Sequence, residues 1–238
     1  MNIGRRLCAE GVGSLLLAAT VIGSGIMAER LAGGNVAVAL LANTAATVAV
    51  LATLIGMLGP VSGAHFNPAV SLVQLMRGQL SVRDASAYAL VQVAGCVLGA
   101  VLAHAMFELP LIQASSHVRA GPAQWLSEVV ATGGLVLVVL SCATPATAAW
   151  RVAAWIGAAY WFTASTSFAN PAITLGRALS DTFAGIRPAD APAFIVAQIV
   201  GALAGLYLGK LLFEHAPPAP ENTTVPDRKR LAETRVPR

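Results

Sequence analysis

Apolar residues run through this chain in long unbroken blocks, without the alternation of a half-buried strand. Six blocks stand out, at residues 7–28, 36–58, 85–107, 125–142, 152–169 and 191–213. Each can cross a hydrocarbon core of about 30 Å as a helix. Lipid-exposed backbone must satisfy its own hydrogen bonds, so only helices or closed barrels span a membrane, and continuous runs select helices. Two further pieces, 68–77 and 171–180, hold ten residues each. As helix each covers about 15 Å, half the core. Two such pieces entering from opposite faces together cross once. The pattern predicts an all-α membrane protein of six transmembrane helices and two re-entrant half-helices.

Composition agrees. The 238 residues are 56% hydrophobic and 11% charged, against about 25% charged in a soluble domain. The net charge of +4 does not point to nucleic acid, because the basic residues form no stripe with interleaved aromatics. They read as a topology signal instead. With six spans both chain ends lie on one side. That side would hold eleven Lys and Arg, including Arg5, Arg6, Arg77, Arg83, Arg151, Lys210 and five in the last eleven residues. The other would hold Arg30, Arg119, Arg187 and Arg177. Both termini are therefore expected in the cytoplasm. Cys8, Cys96 and Cys142 sit at unrelated spacings, so neither a metal site nor a disulfide framework follows, and no cofactor is implied. The first apolar block is as long as a span and contains Glu10, so it does not read as a cleaved signal peptide. The expected organisation is one transmembrane domain over 1–214, with halves at about 7–107 and 125–213. A Pro-rich polar tail, 215–238, reads as disordered.

The two halves resemble each other. Residues 64–72 read AHFNPAVSL and residues 167–175 read SFANPAITL, with Asn67 and Asn170 103 positions apart. VQVAGCVLGA at 91–100 matches AQIVGALAGL at 197–206, with Gln92 and Gln198 106 apart. Glu10 and Glu128 each fall early in the first helix of a half. Landmarks in one order at nearly constant offset indicate duplication. Three spans per half is an odd number, so the second half must be inverted, which puts a site at the repeat interface near mid-membrane. Gly95/Gly99 and Gly201/Gly205 are spaced for close helix packing.

Asn is a strong N-cap and Pro favours the first helical position. Asn67-Pro68-Ala69 and Asn170-Pro171-Ala172 therefore start helices, and these starts fall at mid-membrane. Non-helical backbone at that depth must be buried in protein or line a wet cavity. Two helix N-termini then aim their positive dipole ends at one spot, the Asn amides offer N–H donors, and the preceding loops offer carbonyls. A neutral solute can trade partners along such a path, while a cation or relayed proton meets a barrier.

SGAHFNPAV (62–70), AEGVGSLLL (9–17) and the second Asn-Pro-Ala resemble the aquaporin and aquaglyceroporin family of major intrinsic proteins over about residues 7–213. The resemblance implies six helices and two half-helices in an inverted repeat, a homotetramer with one pore per subunit, contact with membrane lipids, and passive flow of water or small neutral solutes. Most members carry Arg after the second motif, where this chain has Ile173. The other selectivity-filter positions, counted from the motifs, are Thr47, Ala158 and Ser167, with Tyr160 or Trp161 in place of Ala158 if the helix register differs. Thr47, Ala158, Ser167 and Ile173 would make a wide, uncharged mouth suited to solutes bulkier than water. The stretch SFANPAITLGRALSDTFAGI is similar to a bacterial branch associated with uncharged arsenicals such as arsenite. That likeness implies a bacterial inner membrane and puts arsenite first among the solutes, while the chemistry of the mouth also admits glycerol or boric acid.

Other residues weigh less. Glu10 and Glu128 are acids inside spans, expected to accept backbone N–H groups of the half-helix loops; a proton relay is the other reading. His65 is expected to support the loop or line the pore. Gln92 and Gln198 read as interhelical hydrogen-bonding groups. Arg177 is expected at the outer surface or against its helix's C-terminal dipole, the alternative being that it restores charge at the mouth. Trp125, Trp150 and Trp155 read as interface and lipid-facing anchors. A water-selective pore and a proton-coupled secondary transporter are the rival functions. An enzyme is not indicated, since the chain lacks a nucleophile set, paired catalytic carboxylates or a metal-ligand cluster.

Overall fold

The computed structural model describes residues 2–213, and the sequence-based reading of a disordered tail lies outside them. The described residues form eight helices: α1 (Ile3–Leu31), α2 (Val36–Ser62), α3 (Pro68–Met76), α4 (Val82–Met106), α5 (Pro122–Leu140), α6 (Pro145–Phe162), α7 (Pro171–Ala178) and α8 (Ala191–Phe213). Five of them, α1, α2, α4, α5 and α8, are long and apolar enough to cross a membrane. The sixth, α6, is 18 residues long and carries Arg151 in its second turn. At about 27 Å it still matches a hydrocarbon core, and it is held between α2 and α5. The half-helices α3 and α7 have nine and eight residues.

Local signals set the boundaries. Asn2, Asn35, Ser81 and Thr144 cap α1, α2, α4 and α6 through their side chains. The Thr144 cap corrects the block expected at 152–169. Thr144-Pro145 starts the helix seven residues earlier, with a capping box between Thr144 and Thr147. The apolar stretch after Phe162 belongs to the loop that descends to α7.

The two halves, α1–α4 and α5–α8, pack in the same way. In each, the first helix crosses the last, α1 on α4 and α5 on α8. A Cβ added at Gly95 or Gly99 would strike the α1 backbone at Gly11 O and Leu15 O. One added at Gly201 or Gly205 would strike the α5 backbone at Val129 O and Gly133 O. Absent side chains thus bring backbone against backbone where lipid supplies no hydrophobic push. The halves meet through α2 on α6, α4 on α7 and α3 on α8. Trp150 is 73% exposed, whereas Trp155 is not a lipid anchor. Its Nε1 donates to Ala131 O at 2.9 Å and its ring lies over Gly134, joining α6 to α5.

The lane between two half-helices

The half-helices start head to head. Asn67 caps α3 by accepting from Ala69 N at 2.9 Å, and Asn170 caps α7 by accepting from Ala172 N at 2.9 Å. Pro68 and Pro171 take the first helical position, and Ala69 and Ala172 are fully buried. Each Asn also reaches across. Asn67 Nδ2 donates to Ala169 O at 2.7 Å, and Asn170 Nδ2 donates to Phe66 O at 2.8 Å. One hydrogen of each amide is used in this exchange, and the amide's second hydrogen is left for the cavity.

The loops that deliver these starts are strained in matching places. Ala64 and Phe66 (φ 49° for both) correspond to Ser167 and Ala169 (φ 52° and 48°), and Thr166 (φ 59°) corresponds to Gly63 (φ 91°). A left-handed conformation costs a non-glycine residue roughly 1–2 kcal/mol. Two buried carboxylates offset that cost. Glu10 accepts from Ser62 Oγ at 2.6 Å, His65 N at 3.0 Å, Phe66 N at 2.7 Å and Gln92 Nε2 at 2.8 Å. Glu128 accepts from Ser165 Oγ at 2.6 Å, Phe168 N at 2.9 Å, Ala169 N at 2.8 Å and Gln198 Nε2 at 2.7 Å. Each hydrogen bond to a charged acceptor contributes about 1.5–3 kcal/mol. The glutamines extend the same design, reaching Ser71 Oγ on α3 and Thr174 Oγ1 on α7. With four donors each and no exposure, both carboxylates serve as loop anchors.

A continuous cavity of about 210 Å³ runs past both asparagines. Toward the face where α1 begins and α8 ends it is lined by His65 and Gln74, and toward the opposite face by Thr47, Tyr160 and Ser167. One wall is apolar, built by Leu17 and Val21 of α1, Leu51 and Ile55 of α2, and Val152 and Ile156 of α6. The other carries the re-entrant loops and the two Asn side chains. His65 holds its ring through Nδ1 and Ser71 Oγ, 3.1 Å apart. Ile173 is buried and lines the lane one turn into α7. Ser167 Oγ is buried without a protein partner among the described residues.

Two expectations about the far mouth are corrected. Ala158 is exposed on the outside of α6 and does not line the lane; Tyr160 does, with its hydroxyl 3.3 Å from Thr47 Oγ1. Two residues turn a helix by about 200°, which puts Ala158 and Tyr160 on opposite faces. The spacing of Val152, Ile156 and Tyr160, four apart, was the available signal. Trp161 is half exposed. A phenol where a methyl was expected makes the mouth narrower and more polar. Arg177, in turn, does not face outward: it is 3% exposed and lines the lane. Its Nε donates to Ala184 O, and its Cζ stacks 3.3 Å from the centre of the Phe168 ring. The mouth is therefore charged.

The connector between the halves packs against the end of α7 and the second re-entrant loop. Gln113 N and Ser115 N donate to Leu179 O and Ala178 O at 3.1 Å each. His104, buried on α4, places Nε2 2.9 Å from Ser180 Oγ. Asp181 accepts from Ser116 N and Oγ, which hold its carboxyl below the usual carboxylate range. Asp190 is held below that range too, by its 2.7 Å bond from Arg187 and by Arg119 N. Arg119 was assigned in the sequence only to the far side; nothing local in the chain marks it as a lid over the second loop.

Two opposed half-helices lining one lane through a bundle of membrane-crossing helices define a transmembrane channel. The description "Major intrinsic protein" belongs to the family model that matches residues 1–163. The chain is 52% identical over 229 residues to aquaglyceroporin AqpS of Rhizobium meliloti (strain 1021), covering 94% of this chain and 96% of that protein. It is 36% identical over 95 residues to the lens fiber major intrinsic protein of Gallus gallus, 38% of this chain and 36% of that one. Its fold matches the X-ray structure of the aquaglyceroporin from Plasmodium falciparum with a TM-score of 0.68 at 18% identity, over 88% of this chain and 95% of that one. The chain belongs to the major intrinsic protein family. It is a multi-pass membrane channel and not an enzyme.

Proposed function

We propose that this channel passes water and glycerol-sized neutral solutes passively, and that undissociated arsenous acid and boric acid are among them. The observation that carries the reading is the two-sided lane. A polyol lays its carbon side against Leu51, Ile55, Val152 and Ile156, and exchanges hydroxyl hydrogen bonds with the asparagine amides and loop carbonyls opposite. Ile173, at the place that follows the second Asn-Pro-Ala, keeps an apolar contact where a bulky donor would select for water. Arsenous acid is a neutral triol-like molecule and fits the same chemistry. Thr47, Tyr160, Ser167 and Ile173 act as the selectivity filter, and the two Asn-Pro-Ala motifs act as the central barrier to cations. A high identity to an aquaglyceroporin over nearly the whole chain supports the substrate class.

The same reading makes the protein a homotetramer in a bacterial inner membrane, with one pore per subunit, lipids against its outer apolar faces and both termini in the cytoplasm. Stopped-flow light scattering on proteoliposomes tests the substrate class with water, glycerol, boric acid and arsenite in turn. Glycerol and arsenite are expected to equilibrate faster than in empty vesicles. Water flux alone would leave a water-selective pore. Uphill accumulation of solute under an imposed proton gradient would make the protein a transporter.

A further inference from the structure

Arg177 is a buried cation without an anion. The salt bridges among the described residues join Arg6 to Asp84 and Arg187 to Asp190, both elsewhere. Its Nε is spent on Ala184 O, but neither terminal amino group has a protein acceptor among the described residues, and the side chain lines the lane. An uncompensated guanidinium at 3% exposure is expensive and persists where the site uses it.

The surroundings fix its position. Two guanidiniums lie against the Phe168 ring, Arg177 at 3.3 Å from its centre and Arg119 at 5.0 Å. Phe194 closes the edge of the ring at 5.2 Å. Arg119 is tied down by Nε to Gly185 O at 2.8 Å and Nη1 to Ser165 O at 3.2 Å, so its charge is occupied by carbonyls. Arg177 keeps its outer donors free. Three hydroxyls lie with it along the lane, from Thr47 on α2, Tyr160 on α6 and Ser167 on the loop, the last without a partner.

We propose that Arg177 is the specificity-determining cation of the far mouth, set one helical turn outward from the position that Ile173 leaves uncharged. The channel thereby separates two tasks. Ile173 leaves room for a solute bulkier than water, while Arg177 supplies donors to a solute hydroxyl and a positive charge against cations. The solute class it recognises is a neutral molecule with two or more hydroxyls, one oxygen accepting from the guanidinium and others meeting Tyr160 and Ser167. An anion drawn to Arg177 must still shed its water along the apolar wall. This proposal rests on the reading of the protein as a polyol channel.

The test measures potassium leak and water and glycerol flux in proteoliposomes carrying the full chain. Arg177→Leu is expected to raise potassium leak at least about tenfold, because a unit charge a few ångström from the path is removed from a poorly screened site. The double variant Ile173→Arg/Arg177→Leu is expected to restore exclusion, which a merely structural role for Arg177 would not produce. Water flux retained with leak unchanged in Arg177→Leu would overturn the proposal. If Arg177→Leu does not reconstitute, Arg177→Lys decides. Tight vesicles support the charge, and leaky vesicles with intact water flux overturn it. Wild-type protein that passes no glycerol would fail the polyol reading instead, a separate result from the leak.

Discussion

The two re-entrant loops share one scaffold and differ at one end. Around Glu10 and around Glu128 the same four donors converge, a serine hydroxyl, two loop N–H groups and a glutamine amide, at distances between 2.6 and 3.0 Å. Beyond that scaffold the loops part. The first opens past His65 and Gln74 toward a polar recess that also includes Arg6 and Arg77. The second is closed in by Phe168, Arg177 and the Arg119 segment laid over it. The shared part maintains the two helix starts; the differing part is where the proposed selectivity filter lies. A duplicated frame conserves its geometry while its two openings become free to diverge.

The largest effect should fall on the shared part and be equal in both halves. Glu10→Gln and Glu128→Gln each weaken several buried donors at once, at a cost of about 3 kcal/mol. Thermal unfolding in detergent should show a similar drop for the two variants. A large loss for one and none for the other would break the equivalence of the loops. A smaller effect is expected at the differing end. Tyr160→Ala widens the far mouth and should raise the ratio of glycerol to water flux roughly threefold, since pore bore sets that ratio. Ile55→Ala, on the opposite stretch of the lane, should change the ratio less. Equal changes in stopped-flow traces would mean that discrimination is spread along the whole path.

The smallest effect concerns pH. Asp181 and Asp190 have folded-state values below the ordinary carboxylate range, through Ser116 and through Arg187 respectively. A depressed value means stabilisation that is fully present above about pH 4, where the unfolded carboxyl ionises, and lost as pH falls through the lower folded value. Melting temperature should therefore lose the contribution of this far-face clasp only in the acid limb. Asp190→Asn should lower the plateau near neutral pH and flatten that limb, the two proteins converging toward the acid limit. Acid sensitivity unchanged in this variant would remove the clasp from the account.

The sequence exposed what is repeated and short-range. Asn67 and Asn170 stand out because an N-cap followed by proline is a local helix start, and two copies 103 residues apart fall in segments half a membrane long. Gly95 and Gly99 stand out because small residues four apart on a span signal close helix packing, and the structure sets the α1 backbone against them. Tyr160 was harder, because a position counted along α6 from a motif on another element inherits any error in register. Arg177 was hardest. Its burial depends on Phe168, Ala184 and Arg119, which come from three separate stretches, and nothing next to Arg177 in the chain signals that they converge. The α6 start followed a cap that a hydropathy window passes over.

The crossed bonds between Asn67 and Ala169, and between Asn170 and Phe66, make each half the other's missing partner. That is the contact of a two-fold dimer, here contained in a single polypeptide. Replacing either asparagine strands a backbone carbonyl of the opposite half, with only the contents of the lane left to meet it. Mutational drift in one repeat is therefore never private to it: each asparagine answers to a backbone carbonyl that no substitution in the other repeat can remove, and the midpoint of the channel has to be inherited as a matched pair.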